Sequence, residues 1–306
     1  NSDGTSDYKQ KYNVPAGLDP IGDVHEVEKN ENDNKGTVAQ FDYQIKVSDA
    51  VKIEAGYKGT FNRNKSLLDR VDGSINTYQD FKYNQDTHAE YITLGGMIGN
   101  LNIQGGLRAE QWEFETIDRS SETEMNSSIP NLGDEVRAKK DFSKLFPSLF
   151  VSYALPSGNE LQINYTRRLR RPWGGQLNPC RRVTDAHNIR FGNPELTPEY
   201  TNAFELNYIK MWESGQTLSF SAYYRATSDV MDRITFTQGD VRYDTQANVS
   251  DRKSAGSELV GKNRISTWFE LTTTLNMFYQ KIEAYRYAPD KNWLALMTGS
   301  TETTTV

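Results

Sequence analysis

Apolar and polar side chains alternate one by one along several stretches of this chain, as a strand between two unlike environments requires. Leu101, Ile103, Leu107 and Ala109 interleave with Asn102, Gln104, Arg108 and Glu110. The same rhythm runs through Leu161 to Thr166, Leu218 to Arg225 and Phe269 to Gln280. Tyr91 to Ile98 is apolar on both phases, and the phase slips near Glu110 to Trp112, where a bulge is expected.

The segments pair across short breaks rich in turn residues: Ser48-Asp49, Gly99-Asn100, Pro156 to Asn159, Glu213 to Gly215, and Gly261 to Arg264. Five hairpins, hence about ten strands, follow. The connections between hairpins are long, at Arg63 to Asp86, Glu113 to Lys144, Arg170 to Thr201 and Thr227 to Lys253. Short turns alternating with long loops is the layout of outer-membrane barrels. Within the last connection, Arg233 to Phe236 and Val241 to Thr245 flank Gln238-Gly239-Asp240, so a strand pair is expected to continue beyond the membrane.

Composition changes this picture little. Hydrophobic residues make up 36% of the 306, with 17 Tyr, and no stretch approaches the roughly 18 apolar residues of a transmembrane helix. A barrel escapes that test because only alternate strand residues meet lipid. In a membrane, an arginine on the lipid face costs about 2 to 4 kcal/mol near the midplane, so the phases of Arg108 and Arg225 must face the lumen. Tyr57, Tyr153, Tyr165 and Tyr208 suit interfacial girdles, or are ordinary strand tyrosines. The formal charge of -6 argues against a nucleic-acid partner. The single cysteine, Cys180, cannot form an internal disulfide. The polar start, Asn1 to Gln10, has no basic and apolar export signal.

The central third carries a chain of motifs. Phe146-Pro147-Ser148-Leu149 leads into a strand, Leu161 to Tyr165 runs into Thr166-Arg167-Arg168-Leu169-Arg170-Arg171-Pro172, and then come Leu177-Asn178-Pro179 and Gly192-Asn193-Pro194-Glu195-Leu196-Thr197-Pro198-Glu199-Tyr200. In that order and spacing, this resembles the outer-membrane β-barrel family of TonB-dependent receptors of Bacteroidetes type. Gly105 to Glu110 upstream and Tyr223-Tyr224-Arg225 with Asp229-Val230 and Arg233-Ile234 downstream resemble flanking family strands, so the likeness covers about residues 38 to 285.

The resemblance implies an all-β, antiparallel up-and-down transmembrane β-barrel in the bacterial outer membrane. About ten strands of a larger, 22-stranded barrel are expected in residues 1–306, as part of one domain, with the plug domain and C-terminal strands not present. It implies an uptake receptor and not an enzyme, with no cofactor and no metal. The partners it implies are the TonB complex, acting through a plug, outer-membrane lipid, and an unidentified small-molecule, glycan or peptide substrate. A passive or adhesive barrel and a soluble β-rich binding protein are the competing readings.

Arg170, Arg171 and Trp173, followed by Arg181 and Arg182, belong to the densest basic and aromatic cluster in the chain. Guanidinium groups pair bidentately with carboxylate or phosphate. The cluster therefore either contacts ligand or forms ion pairs with an acidic lumen or plug. The prolines and Gly192 read chiefly as a loop scaffold, with Gly192 expected to supply a backbone angle other residues resist. Asn30, Asn32 and Asn34 sit at alternate positions, as calcium ligands do. The glycine falls one place late and Phe41 occupies the twelfth position, so a solvated loop is expected instead. His25, His88 and His187 are scattered, with no H-E-x-x-H or G-x-S-x-G pattern.

Overall fold

The computed structural model describes residues 2–10, 24–72, 75–124, 135–180, 182–185 and 187–283. Its strands are β1 (Ser2–Gln10), β2 (Val24–Ser48), β3 (Val51–Asp72), β4 (Ile75–Ile98), β5 (Leu101–Glu124), β6 (Val136–Leu155) and β7 (Asn159–Arg170). A single helical turn, α1 (Gly174–Leu177), and two short strands, β8 (Arg182–Asp185) and β9 (Asn188–Arg190), come next. The chain then forms β10 (Glu199–Met211), β11 (Thr217–Gln238), β12 (Val241–Arg264) and β13 (Glu270–Ile282). Eleven of these form one antiparallel meander in chain order, β1 to β7 and then β10 to β13. Among the described residues β1 and β13 end the meander without joining, so the sheet is part of a barrel.

Register proves that the sheet has two unlike faces. One row of directly paired residues crosses ten strands as Ile45, Ile53, Leu94, Gly105, Leu149, Tyr165, Phe204, Tyr224, Ala255 and Tyr279. The adjacent row, one residue along each strand, reads Gln44, Glu54, Thr93, Gly106, Ser148, Thr166, Ala203, Arg225, Ser254 and Gln280. Successive side chains point to opposite faces, so the first row is an apolar belt and the second a polar lining. Leu94 is 56% exposed and Leu275 52%. A contiguous apolar surface of that extent is a membrane face.

Arg108 and Arg225 lie on the polar face, as expected, paired with Glu110 at 3.0 Å and Glu205 at 3.3 Å. Gly56 shows why a small residue is needed there. Tyr91 lies across it to hydrogen-bond Asp42, and a Cβ at Gly56 would stand 2.5 Å from the Tyr91 hydroxyl. Tyr153 and Tyr208 share the row of Ile98, Leu101, Leu161 and Phe220, at the short-turn end of the belt. Tyr57 pairs with Glu90 on β4, eight residues from Ile98, or roughly 27 Å along a strand. That span matches an apolar band of about 25 Å. Tyr165 sits inside the belt rather than at its border.

Several expectations are corrected. The strands run to 25 residues in β2 and 24 in β4, β5 and β12, roughly 80 Å at about 3.4 Å per residue. They therefore rise far above a bilayer core. Two of the four long connections turn out to be continued strand pairs, β3 with β4 and β5 with β6, and the strand pair expected within the last is present as β11 with β12; among the described residues only 171–198 forms an inserted segment. Asn30, Asn32 and Asn34 lie on β2, not in a loop. The last reversal occupies 265–269, beyond Arg264, where β12 ends.

No bulge occurs at Glu110 to Trp112, where β5 pairs without interruption with both neighbours. What changes there is the surroundings. Trp112 and Phe114 continue the inward phase of Arg108 and Glu110, but they are buried in an aromatic core and no longer line a polar lumen. Outward residues Glu113, Glu115 and Arg119 meet water and form ion pairs with Lys139, Arg137 and Glu135.

Candidate functional site

The inserted segment is held inside the mouth by contacts to strands far apart in the sheet. Leu177 and Leu196, both fully buried, pack with Phe81 and Tyr83 of β4, Trp112 and Phe114 of β5, and Met231 of β11. Gln79 of β4 donates to Asn178 Oδ1 at 2.7 Å, and Gln176 donates to Gln246 of β12. β4 and β12 are six strand spacings apart, or roughly 29 Å in a flat sheet. One short loop reaches both only because the sheet curls around it.

The local sequence builds this insert from backbone contacts. Gly192 N–H donates to Asn178 O at 2.7 Å and Asn193 N–H to Gln176 O at 2.6 Å. A Cβ on Gly192 would come within 2.5 Å of Asn178 O and 2.6 Å of Gln176 O. Its φ is not in the left-handed region, so close backbone approach, not an unusual angle, demands glycine. Asn193 Nδ2 donates to Gln246 O at 3.0 Å, while Asn248 accepts from Thr197 N–H at 2.8 Å and donates to Thr197 O at 2.9 Å. The Gly192 to Pro198 motif is thus a buried scaffold. Beyond it β9 adds in parallel to β12 through Asn188 to Arg190.

The candidate residues separate into distinct roles. Arg170 grips Glu199 through Nε at 2.8 Å and through Nη2, and Glu199 Oε1 also accepts the Met231 N–H at 2.6 Å. This fastens β7 and β10 to the β11 bulge around Asp229, whose φ is 55°. Arg171 forms an ion pair with Glu110 and lies over the Trp112 ring at 5.4 Å. Burial lowers its pKa to about 10, with Tyr83 opposing and Arg108 reinforcing that shift. It still carries its charge at neutral pH. Trp173 is 67% exposed at the foot of α1. Arg182 contributes backbone pairing in β8, opposite Arg190, and Arg181 lies outside the described residues.

Arg171 and Trp173 border a cavity of about 1020 Å³ between the insert and the walls of β2, β3, β4 and β12. Asn30, Asn32 and Asn34 line it from β2, Asn64 and Ser66 from β3, and Gln79 and Gln85 from β4. Gln79 also donates to Asp118 at 2.6 Å. Asp118 stands above the membrane belt, and burial raises its carboxyl pKa against the pull of the Gln79 and Ser120 hydrogen bonds. The amide wall was missed by sequence reasoning, although period two at Asn30, Asn32 and Asn34 is the signal of a strand presenting all three to one face.

Comparison with known proteins agrees with this architecture. A search of curated proteins finds no match. Among solved structures, the ferric yersiniabactin uptake receptor FyuA from Yersinia pestis superposes with a TM-score of 0.56 at 15% identity, over 91% of this chain and 39% of the receptor. The copper transporter OprC gives a TM-score of 0.56 at 13% identity, over 91% of this chain and 43% of its own. This chain thus spans about two fifths of the length of those proteins, and the likeness is one of fold. A family profile described as "Outer membrane protein beta-barrel family" matches residues 1–305. With its apolar belt, polar lumen and inserted mouth loop, this chain belongs to that family and is a barrel portion of the bacterial outer membrane.

Proposed function

We propose that this barrel portion serves an energised uptake receptor, in which the TonB complex acts through a plug domain and the mouth cavity receives the solute. The observation that carries this reading is the Arg171–Pro198 insert. It is pinned to both walls and leaves beside it a cavity lined by both polar and apolar side chains and bordered by an exposed tryptophan. A concave site with a few placed polar groups on a rigid frame is the usual form of a ligand pocket. A barrel serving only adhesion needs no such chamber. Trp173 and Arg171 are the proposed ligand contacts, while Arg170 holds the frame through Glu199.

Replacing Arg171 and Trp173 together with Ala is expected to lower uptake at least tenfold, and unchanged transport would reject their role. Loss of TonB is expected to abolish accumulation in cells. Accumulation that persists without TonB would establish a passive barrel instead.

A further inference from the structure

We propose that a seam between β6 and β7, at the outer border of the apolar belt, holds the phosphate of an anionic lipid. Pairing between these strands ends at Ser148 with Thr166. The next residue of β6 is Pro147, which has no N–H to offer a neighbour. Beyond it, among the described residues, β6 pairs only with β5 and β7 only with β10. Tyr200 of β10 stands beside this opening with two cations on its ring. Arg167 Cζ of β7 and Lys144 Nζ of β6 each lie 5.7 Å from the ring centroid.

Neither cation is neutralised by the protein. Arg63, Arg108, Arg137, Arg170 and Arg171 each meet a carboxylate, whereas Arg167 and Lys144 form no ion pair among the described residues. Arg167 Nε is buried without an acceptor. A tyrosine face attracts a cation through its quadrupole but brings no negative charge to balance it.

Register sets the height of the pair. Leu145 is directly opposite Ala109, Ala109 opposite Glu90, and Glu90 opposite Tyr57, the tyrosine at the upper border of the belt. Lys144 is one residue from that row, and Arg167 follows Thr166, whose partner Ser148 is three residues from Leu145. Both cations thus lie within roughly 10 Å of the border along a strand, the level at which headgroups replace hydrocarbon. Arg167 shares the outward phase of Ile163 and Tyr165, and Tyr200 that of Phe204. Lys144 has the inward phase, but it stands on the open edge of β6 and its long side chain reaches the same ring. Below them Leu149, Ile163, Phe204 and Leu206 present exposed apolar surface on the outward face. Two unbalanced cations above such a slope fit an amphiphile whose acyl chains lie along the strands and whose phosphate accepts from guanidinium and ammonium together.

The test uses the full-length protein purified in detergent and native mass spectrometry with three probes: diphosphoryl lipid A, lipid A stripped of its phosphates, and inorganic phosphate. The diphosphoryl form is expected to bind about tenfold or more tightly than the stripped form, and inorganic phosphate is expected not to displace it at equal concentration. Arg167→Gln combined with Lys144→Gln is expected to weaken lipid binding about tenfold or more. Arg137→Gln, which removes an ion-paired cation elsewhere on the outer face, is expected to leave binding unchanged. Bound lipid is also expected to raise the unfolding temperature of the unaltered protein and not that of the double variant, a difference that cations with a purely structural role would not produce. Should the double variant fail to fold, Lys144→Gln alone decides, because Lys144 is exposed. The inference is overturned if stripped lipid A binds as well, if inorganic phosphate displaces the lipid, if the variants at Arg167 and Lys144 keep full affinity, or if Arg137→Gln weakens binding as much as they do. Uptake plays no part in these readouts, so their failure leaves the transport reading untouched.

Discussion

The lower and upper parts of β5 follow one alternation and give it opposite meanings. From Leu101 to Ala109 the outward side chains are apolar and the inward ones polar. From Trp112 to Phe114 the inward side chains are the apolar ones, and Glu113 and Glu115 face out. Strand geometry is the same in both halves and pairing is unbroken. What differs is the medium beyond the sheet: lipid outside and an aqueous lumen inside below, water outside and a packed loop inside above. Alternation therefore reports that two faces differ, and the surroundings decide which of them is greasy.

The comparison is broken most severely at the aromatic core. Trp112 stacks on Phe114, with ring centroids 4.9 Å apart, and on Phe142, at 5.0 Å. Trp112→Ala should cost about 3 to 5 kcal/mol, and limited proteolysis should then cut the Arg171–Pro198 insert while the membrane belt stays protected. Protection of the insert would mean that the core does not hold it.

In the lower half the two phases should respond unequally. Ile103→Arg should destabilise the barrel by up to about 2 to 4 kcal/mol, whereas the neighbouring Gln104→Arg should lie near zero. Urea unfolding in lipid vesicles measures both. Equal effects would show that the belt is not where the register puts it.

Gly192→Ala should cost about 1 to 3 kcal/mol by forcing a methyl group against Asn178 O and Gln176 O. Because that strain is confined to the insert, it should appear as faster amide exchange in Gln176 to Asn193, with β2 to β6 unaffected. At the outer surface Arg137 contacts Glu115 at 3.0 Å and Glu135 at 2.8 Å. Both contacts are exposed, so Arg137→Ala should leave the urea midpoint nearly unchanged, and more nearly so in high salt. A larger loss there would mean that these pairs are shielded from water.

The strand character of Leu101 to Glu110, Leu161 to Thr166 and Leu218 to Arg225 was legible from period two alone, as were the short turns at Gly99-Asn100 and Pro156 to Asn159. So was the lumenal phase of Arg108 and Arg225, because charge on a lipid face is too costly to keep. These are local properties, decided by a residue and its neighbours in the chain. The inserted loop was legible as an interruption rich in proline, with Arg170, Arg171 and Trp173 at its start.

Tertiary structure alone decided where those groups went. Arg170 meets Glu199, and Arg171 meets Glu110 and Trp112, because β7, β10 and β5 converge at the mouth. The slip at Glu110 to Trp112, which in sequence imitates a bulge, is a change of environment at the membrane border. The amide wall was hidden for a related reason: Asn30, Asn32 and Asn34 become a site only once Asn64, Gln79 and Gln85 are brought beside them, across register contacts that join residues 30 to 38 positions apart between β2 and β3 and 11 to 23 apart between β3 and β4. Alternation is written in the order of the residues, but the identity of the medium on each face is a property of the curled sheet and of what it surrounds.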